Sequence, residues 1–330
     1  MSYLQLSSGI PNFSKAIISF WFRIPASTFA IMSAISDTPP PDRQTDHMCD
    51  LCYSPELYKI IPLITFGSLE FDSDGNRCQP SFVGVDCFGG VNCLAVNLQT
   101  PVFSSWITET PPASYRPECF YMSGYASPND QNTTVSADSW HHALISFDIS
   151  GAGSAVYGAT DFTLSSESAF TWALDDVARM NISINPSGGG RWADNGISDP
   201  KIIISQGLID YAGAPGSTVS FSGGYISAND KPVGIPSSTD FVNKVQMVEM
   251  ADLQFFTGIS VDASSIDVRR LFIDADGGPV NPSVAAAELG QAPKIVLHGS
   301  DNWMNGVNTG TLGPFTPTGT INPFGESPIL

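Results

Sequence analysis

Ile18-Ser19-Phe20-Trp21-Phe22-Arg23-Ile24 places Ile18, Phe20, Phe22 and Ile24 on one face of an extended chain and Ser19, Trp21 and Arg23 on the other. A period of two is the pleat of a β-strand, with one face turned to a core and a half-exposed aromatic opposite. Working outward, further short strands are expected at 60–66, 91–97, 119–123, 141–148, 202–204, 219–226, 245–256 and 294–298. Turn chemistry separates them: Asp74-Gly75, Gly89-Gly90, 187–190, Gly223-Gly224 and Asp276-Gly277-Gly278. Many short strands broken by Gly, Pro and Asn predict an antiparallel β-sandwich rather than a parallel α/β sheet. Helices are few. The pattern predicts them over 265–273, with Ser264 or Ser265 as N-cap and Asp267 in the first turn, and over 173–180 and 283–289.

Composition agrees with a loop-rich β protein. Of 330 residues, 42% are hydrophobic but only 14% charged, against roughly 25% charged in an average domain. A formal net charge of −18 leaves no excess of Lys or Arg to displace counterions from phosphates, so nucleic acid and anionic membranes are not expected partners. No apolar stretch reaches the roughly 20 residues needed to cross a bilayer. Met1-Ser2-Tyr3-Leu4-Gln5-Leu6 shows no basic region leading into an apolar core, so synthesis in a cytoplasm without a signal peptide is expected.

All six cysteines, Cys49, Cys52, Cys78, Cys87, Cys93 and Cys119, fall in one Pro-, Gly- and Asp-rich region spanning 34–120. Three explanations stay open: disulfides stapling the loops, a zinc site built on Cys49 and Cys52 with His47, followed by Cys78 or Cys87, or reduced thiols. A single Cys-x-x-Cys without a second pair argues against zinc. Disulfides fit a protein that ends outside the cell, and all six cysteines are candidates for them. The organisation expected is one elaborated sandwich over 1–309, with an insertion at about 150–240, followed by an extended C-terminal arm over 310–330.

Three segments together resemble the laminin-G/pentraxin branch of the concanavalin A-like jelly rolls. They are the aromatic strand at 18–24, the run Trp140-His141-His142-Ala143-Leu144-Ile145-Ser146-Phe147-Asp148, and the closing strand 245–256 containing Met250-Ala251-Asp252-Leu253-Gln254-Phe255-Phe256. The segment 261–282, with Arg269-Arg270-Leu271-Phe272-Ile273-Asp274-Ala275-Asp276-Gly277-Gly278 at its centre, is similar to a pattern in tailed-bacteriophage proteins that carry such domains. The resemblance implies a jelly-roll sandwich in a structural virion protein: a decoration, neck, tail or fibre-associated component, contacting other virion proteins and copies of itself. The alternative is a carbohydrate-binding adhesin for a host surface glycan, with Trp106, Trp192 and Trp303 as candidate stacking platforms.

Catalytic signatures are weak. Glycoside hydrolases need two carboxylates flanking a sugar, and the nearest approach, Glu249 and Asp252, falls on opposite faces of a regular strand. No Gly-x-Ser-x-Gly elbow accompanies a Ser-His-Asp set, and the glycine runs at 151–153 and 188–190 lack phosphate-loop endings. The chain is therefore expected not to be an enzyme and to need no cofactor. Asp72-Ser73-Asp74-Gly75-Asn76 is a weak calcium candidate, because closely spaced oxygens around a glycine can wrap a hard cation. His141 and His142 are expected on opposite strand faces, one buried and hydrogen-bonded and the other meeting solvent.

Overall fold

The computed structural model describes residues 3–6, 15–33, 60–66, 81–87, 92–99, 119–123, 134–148, 170–179, 185–186, 202–205, 248–318, 321 and 328. Its strands are β1 (Tyr3–Leu6), β2 (Lys15–Arg23), β3 (Ile60–Phe66), β4 (Ser81–Asp86), β5 (Cys93–Gln99), β6 (Cys119–Ser123) and β7 (Trp140–Asp148). There follow β8 (Phe170–Leu174), β9 (Val177–Arg179), β10 (Asn185–Pro186), β11 (Ile202–Ser205), β12 (Glu249–Thr257), β13 (Ile295–Leu297) and β14 (Thr316–Thr318). They form an eight-stranded sheet, β10-β6-β5-β4-β3-β11-β1-β14, and a six-stranded sheet, β13-β12-β2-β7-β8-β9. Every pairing is antiparallel. The chain crosses from one sheet to the other repeatedly, so the protein is a mostly-β, antiparallel jelly-roll sandwich with few, short helices.

The two sheets meet on one apolar core. Leu4 and Leu6 of β1, Leu63 and Ile64 of β3 and Val83 and Val85 of β4 face Ile18, Phe20 and Phe22 of β2, Ile145 and Phe147 of β7, and Leu253 and Phe255 of β12. Two irregularities tune the pleat. Pro62, which has no N–H to give the ladder, coincides with a register shift in β3. A bulge between Ala251 and Gln254 in β12 lets Met250 and Leu253, three positions apart, both reach the core. Asp252, inside that bulge, takes a left-handed φ of 47°.

The six-stranded sheet is buried on its second face as well. Ile17, Leu144, Ala173 and Phe256 pack against Ala263, Phe272 and Ala285, and Trp21, Trp140 and Ala251 pack against Ile273. The covering segment, 259–289, carries α2 (Ile266–Arg269) and α3 (Pro282–Glu288). Asn281 caps α3 by accepting the Ser283 N–H at 3.0 Å, with Pro282 at the first helical position. Polar side chains from the sheet anchor the cover's entry: Ser146 Oγ accepts the Val261 N–H at 2.8 Å, while Thr171 Oγ1 accepts the Ala263 N–H at 2.9 Å and donates to the Val261 carbonyl at 3.0 Å.

This cover corrects one expectation. Trp21 is 1% exposed rather than half-exposed, because a segment more than two hundred positions away in the chain lies over it. A second correction concerns 173–180, which is not a helix. Leu174 pairs with Val177 across a two-residue turn in which Asp175 and Asp176 have φ of 54° and 59°. Two successive left-handed residues define the type I′ hairpin, whose twist matches that of antiparallel strands. The expected helix at 265–273 is confined to 266–269, and the one at 283–289 lies at 282–288. The sequence pattern did not indicate α1 (Ala26–Ser33), α4 (Ser300–Asn305), β1, β4, β10 or β14. The strand expected at 219–226 lies outside the described residues.

The edge strand β13 is closed off by the segment after α4. Asn308 Oδ1 accepts the N–H groups of Val296 and Gly310 at 2.8 and 2.9 Å, and its Nδ2 donates to the Lys294, Leu312 and Gly313 carbonyls. The segment's backbone adds to this, with the N–H groups of Thr309, Thr311 and Leu312 donating to the Val296, Pro293 and Lys294 carbonyls, so the side chain and the backbone together blunt the edge. Beyond it, Phe315 is buried in the core, β14 pairs with β1, and Ile321 is buried. The stretch expected as an arm from 310 therefore begins inside the sandwich. Likewise β8, β9 and β11, within the expected insertion at 150–240, are members of the two sheets.

Candidate functional site

The densest polar arrangement among the described residues surrounds the Asp175-Asp176 turn. Alternation along β7 sends His141 and His142 to opposite faces, as expected. The His141 ring lies 5.5 Å from the ring of Phe22, and that of His142 lies 5.0 Å from Trp21. Neither meets solvent, however: His141 is 4% exposed and His142 1%. The cover over the second face accounts for His142, and the loop 134–139 together with the hairpin turn accounts for His141.

Asp175 serves both histidines. Its Oδ2 lies 2.8 Å from His141 Nδ1 and its Oδ1 accepts the His142 backbone N–H at 3.0 Å. Asp176, beside it, faces the cover. Its two oxygens accept from Arg269 Nε at 2.9 Å and an Arg270 Nη at 2.7 Å. Arg269 also donates to the Ala263 and Ser264 carbonyls, which satisfies a guanidinium that is otherwise buried. Burial alone would push the Asp176 carboxyl up, but the Arg270 and Arg269 guanidiniums outweigh it and hold the group below the usual carboxylate range. His142 has Ser19 Oγ 2.9 Å from its Nε2. Its complete burial pushes its pKa down to about 4, with Asp175 and Asp176 opposing only partly, so the ring is neutral at pH 7.

Ser136, His141 and Asp175 invite comparison with a nucleophilic triad, since His141 Nε2 lies 3.1 Å from Ser136 Oγ. The same nitrogen also accepts the Ser136 backbone N–H at 3.1 Å and lies 3.1 Å from the Ser136 carbonyl. A general base needs a lone pair aimed at the hydroxyl. Here the backbone amide occupies it, so the imidazole ties the 134–139 loop to β7 and the hairpin turn. The arrangement is a clasp.

A second polar pair lies across β12 and the end of β13. Asp252, in the bulge, is bonded to His298, and Glu249 is paired with Arg23, whose guanidinium lies 5.2 Å from the Trp140 ring. Burial pushes the Asp252 carboxyl up, with His298 opposing. Glu249 and Asp252 thus have separate partners, Arg23 and His298.

Of the candidate stacking platforms, Trp303 is the one that falls among the described residues, and it fails: it is 1% exposed and packs from α4 into the inter-sheet core. A stacking platform must present its face to a ligand, so this assignment is corrected. Trp106 and Trp192 lie outside the described residues, as do Cys49, Cys52, Cys78, His47 and the calcium candidate at 72–76. Cys87 and Cys93 are buried thiols, with Cys87 Sγ directed at the Val85 carbonyl at 3.8 Å. They form no disulfide, and of Cys119 only the backbone, in β6, is described. No cluster of three metal-ligating side chains occurs among the described residues, and no described helix is long and apolar enough to cross a membrane. Sequence reading did not single out Asp175, Asp176, Arg269 or Ser136. A signal was present in the two acids between alternating Trp172-Ala173-Leu174 and Val177-Ala178-Arg179, which fit a hairpin once the helix is set aside.

No family model matches the chain, and no curated protein matches it. Among solved structures, it is similar to a heptameric SAP-like pentraxin from Limulus polyphemus, with a TM-score of 0.36 and 8% identity over 81% of this chain and 75% of that one. It is also similar to the fourth domain of a GH43 extracellular arabinanase from Geobacillus stearothermophilus, solved with arabinotriose. There the TM-score is 0.30 and the identity 10%, over 80% of this chain and 71% of that one. Similarity at this level assigns no ligand or site.

Proposed function

We propose that this chain is a structural protein of a bacteriophage virion, a decoration, neck, tail or fibre-associated component, in which a lectin-like sandwich acts through its surfaces and not through catalysis. The observation that supports this reading best is the meeting of the two segments that carry the sequence resemblance. The Trp-His-His strand and the 261–282 segment are joined through one hairpin turn, His141 and His142 on Asp175, Arg269 and Arg270 on Asp176. The jelly-roll feature and the feature similar to phage proteins thus belong to one packed unit. A clasp built this way spends its ionisable groups on fastening layers, which suits a part that must stay assembled. Quantitative mass spectrometry of purified particles from the source tests it: a fixed copy number per particle supports the reading, and absence from particles removes it.

The alternative, a glycan-binding adhesin, keeps the same sandwich but needs an exposed platform, and Trp303 does not provide one. Binding of the free protein to a glycan array, lost on changing Trp106 or Trp192 to Ala, would favour it over the structural reading.

A further inference from the structure

We propose that 259–289 is an acid-released cover, sealed over His142 at neutral pH and detached from the six-stranded sheet when that imidazole takes up a proton. Three features of geometry lead there. First, the cover is a layer and not a strand: its described hydrogen bonds to the sheet are side-chain anchors at Ser146 and Thr171 and the guanidinium pairs on Asp176. It can therefore lift without breaking the ladders of β2, β7 and β12.

Second, His142 lies on the face the cover seals. Its ring lies tilted against that of Trp21, which packs against Ile273 of the cover, and a ring hydrogen bond runs to a neutral hydroxyl, Ser19 Oγ. Third, the charges around it are already committed. From the turn, Asp176 is matched by Arg269 and Arg270 of the cover, and Asp175 is shared between the His141 ring and the His142 backbone N–H. From β2 the neighbours are Ser19 and Trp21, and β12 contributes Gln254 opposite Ser19, all uncharged. Glu249 at the start of β12 is taken by Arg23. Asp175 and Asp176 favour an imidazolium there, but their oxygens are bonded to other groups and burial outweighs them. Lifting the cover restores its hydration.

With a pKa of about 4 when sealed and about 6.5 when hydrated, open-state occupancy should rise roughly twentyfold between pH 7 and pH 5. The test is amide hydrogen exchange on the full chain at pH 7 and pH 5, corrected for intrinsic rates, comparing peptides from 259–289 with peptides from β3 and β4. The expected result is a loss of protection in 259–289 of about that size with β3 and β4 unchanged, and its disappearance in His142→Gln. Arg270→Ala should loosen the cover at both pH values while leaving the pH response intact, which separates the fastening from the sensor. Equal protection at both pH values, a response that persists in His142→Gln, or simultaneous loss in the cover and in β3 and β4 would each overturn the proposal. If His142→Gln does not fold, His142→Asn is read in the same way. If neither folds, the wild-type comparison of cover with β3 and β4 decides alone.

Discussion

The ring Nδ1 of His141 lies 2.8 Å from Oδ2 of Asp175, a residue held in left-handed backbone at the tip of the β8–β9 hairpin. The carboxylate thus has two tasks, shaping a turn and clasping β7. Asp175→Asn keeps the tolerance for positive φ and one acceptor, whereas Asp175→Ala loses both. The expected losses are about 1 kcal/mol for Asn and about 3 kcal/mol for Ala, read from urea unfolding midpoints at constant slope.

Arg269 fastens the cover through one carboxylate and two carbonyls. Arg269→Met leaves Asp176 facing Arg270 alone and orphans the Ala263 and Ser264 carbonyls, so a loss of about 3 kcal/mol is expected at pH 7. Because Asp176 is held below the usual carboxylate range, the stability it contributes is present above its unfolded pKa and is lost as pH falls through the lower folded value. Asp176→Asn should therefore differ most from the wild type at neutral pH and converge on it in strong acid. A difference that grew on acidification would contradict the assignment.

Asp252 has the opposite sign. Its carboxyl is pushed up by burial, so it favours the folded state below its unfolded pKa and that contribution is lost as pH rises through the folded value. Asp252→Asn accepts the same φ and can still accept a hydrogen bond from His298. It should be neutral to stabilising by about 1 kcal/mol at pH 7. Asp252→Val, a β-branched residue at φ 47°, should lose more than about 2 kcal/mol. Thermal melts of the two variants side by side check both.

Trp303 is a core residue, so Trp303→Ala should cost about 3–5 kcal/mol. Any glycan binding measured under conditions where the variant is still folded should be unchanged. Lost binding with unchanged stability would return Trp303 to the surface.

A Cβ at Gly310 would stand 2.5 Å from the Lys294 carbonyl. Gly310→Ala therefore displaces the segment that Asn308 holds over β13, and Asn308→Ala removes its hydrogen bonds outright. Each should lower stability by about 2–4 kcal/mol, and the pair should be strongly non-additive in a double-mutant cycle, since both break the same edge closure.

The sandwich was legible because its central strands are long and apolar: β2, β7 and β12 are nine residues each. What escaped is non-local. Trp21 and His142 carry no local mark of burial, because the segment that buries them follows much later in the sequence. Asp175 and Asp176 were hidden by their neighbours, since Ala173, Leu174 and Ala178 suit a helix and the turn lacks the Asn-Gly or Asp-Gly pair that usually announces a type I′ hairpin. The candidate site depended on both, so histidines visible in the sequence had partners that were not. The edge closure around Asn308 is similar: an irregular segment tied to β13 by an amide side chain and a few backbone bonds leaves no periodic trace.

The register of β2 has a consequence during synthesis. Its two neighbours are β7 and β12, with Ile18 opposite Ile145 on one side and Phe255 on the other. At ribosomal speeds of roughly 5–20 residues per second, the second neighbour is made on the order of ten to fifty seconds after Ile18. Throughout that interval Ile17-Ile18-Ser19-Phe20-Trp21-Phe22 is an apolar strand with an open edge and a bare outer face, the kind of segment that recruits other chains. Yield in the cell should therefore be set by how long the nascent chain is shielded, with slower translation or scarce chaperones turning product into aggregate even where the finished fold is stable.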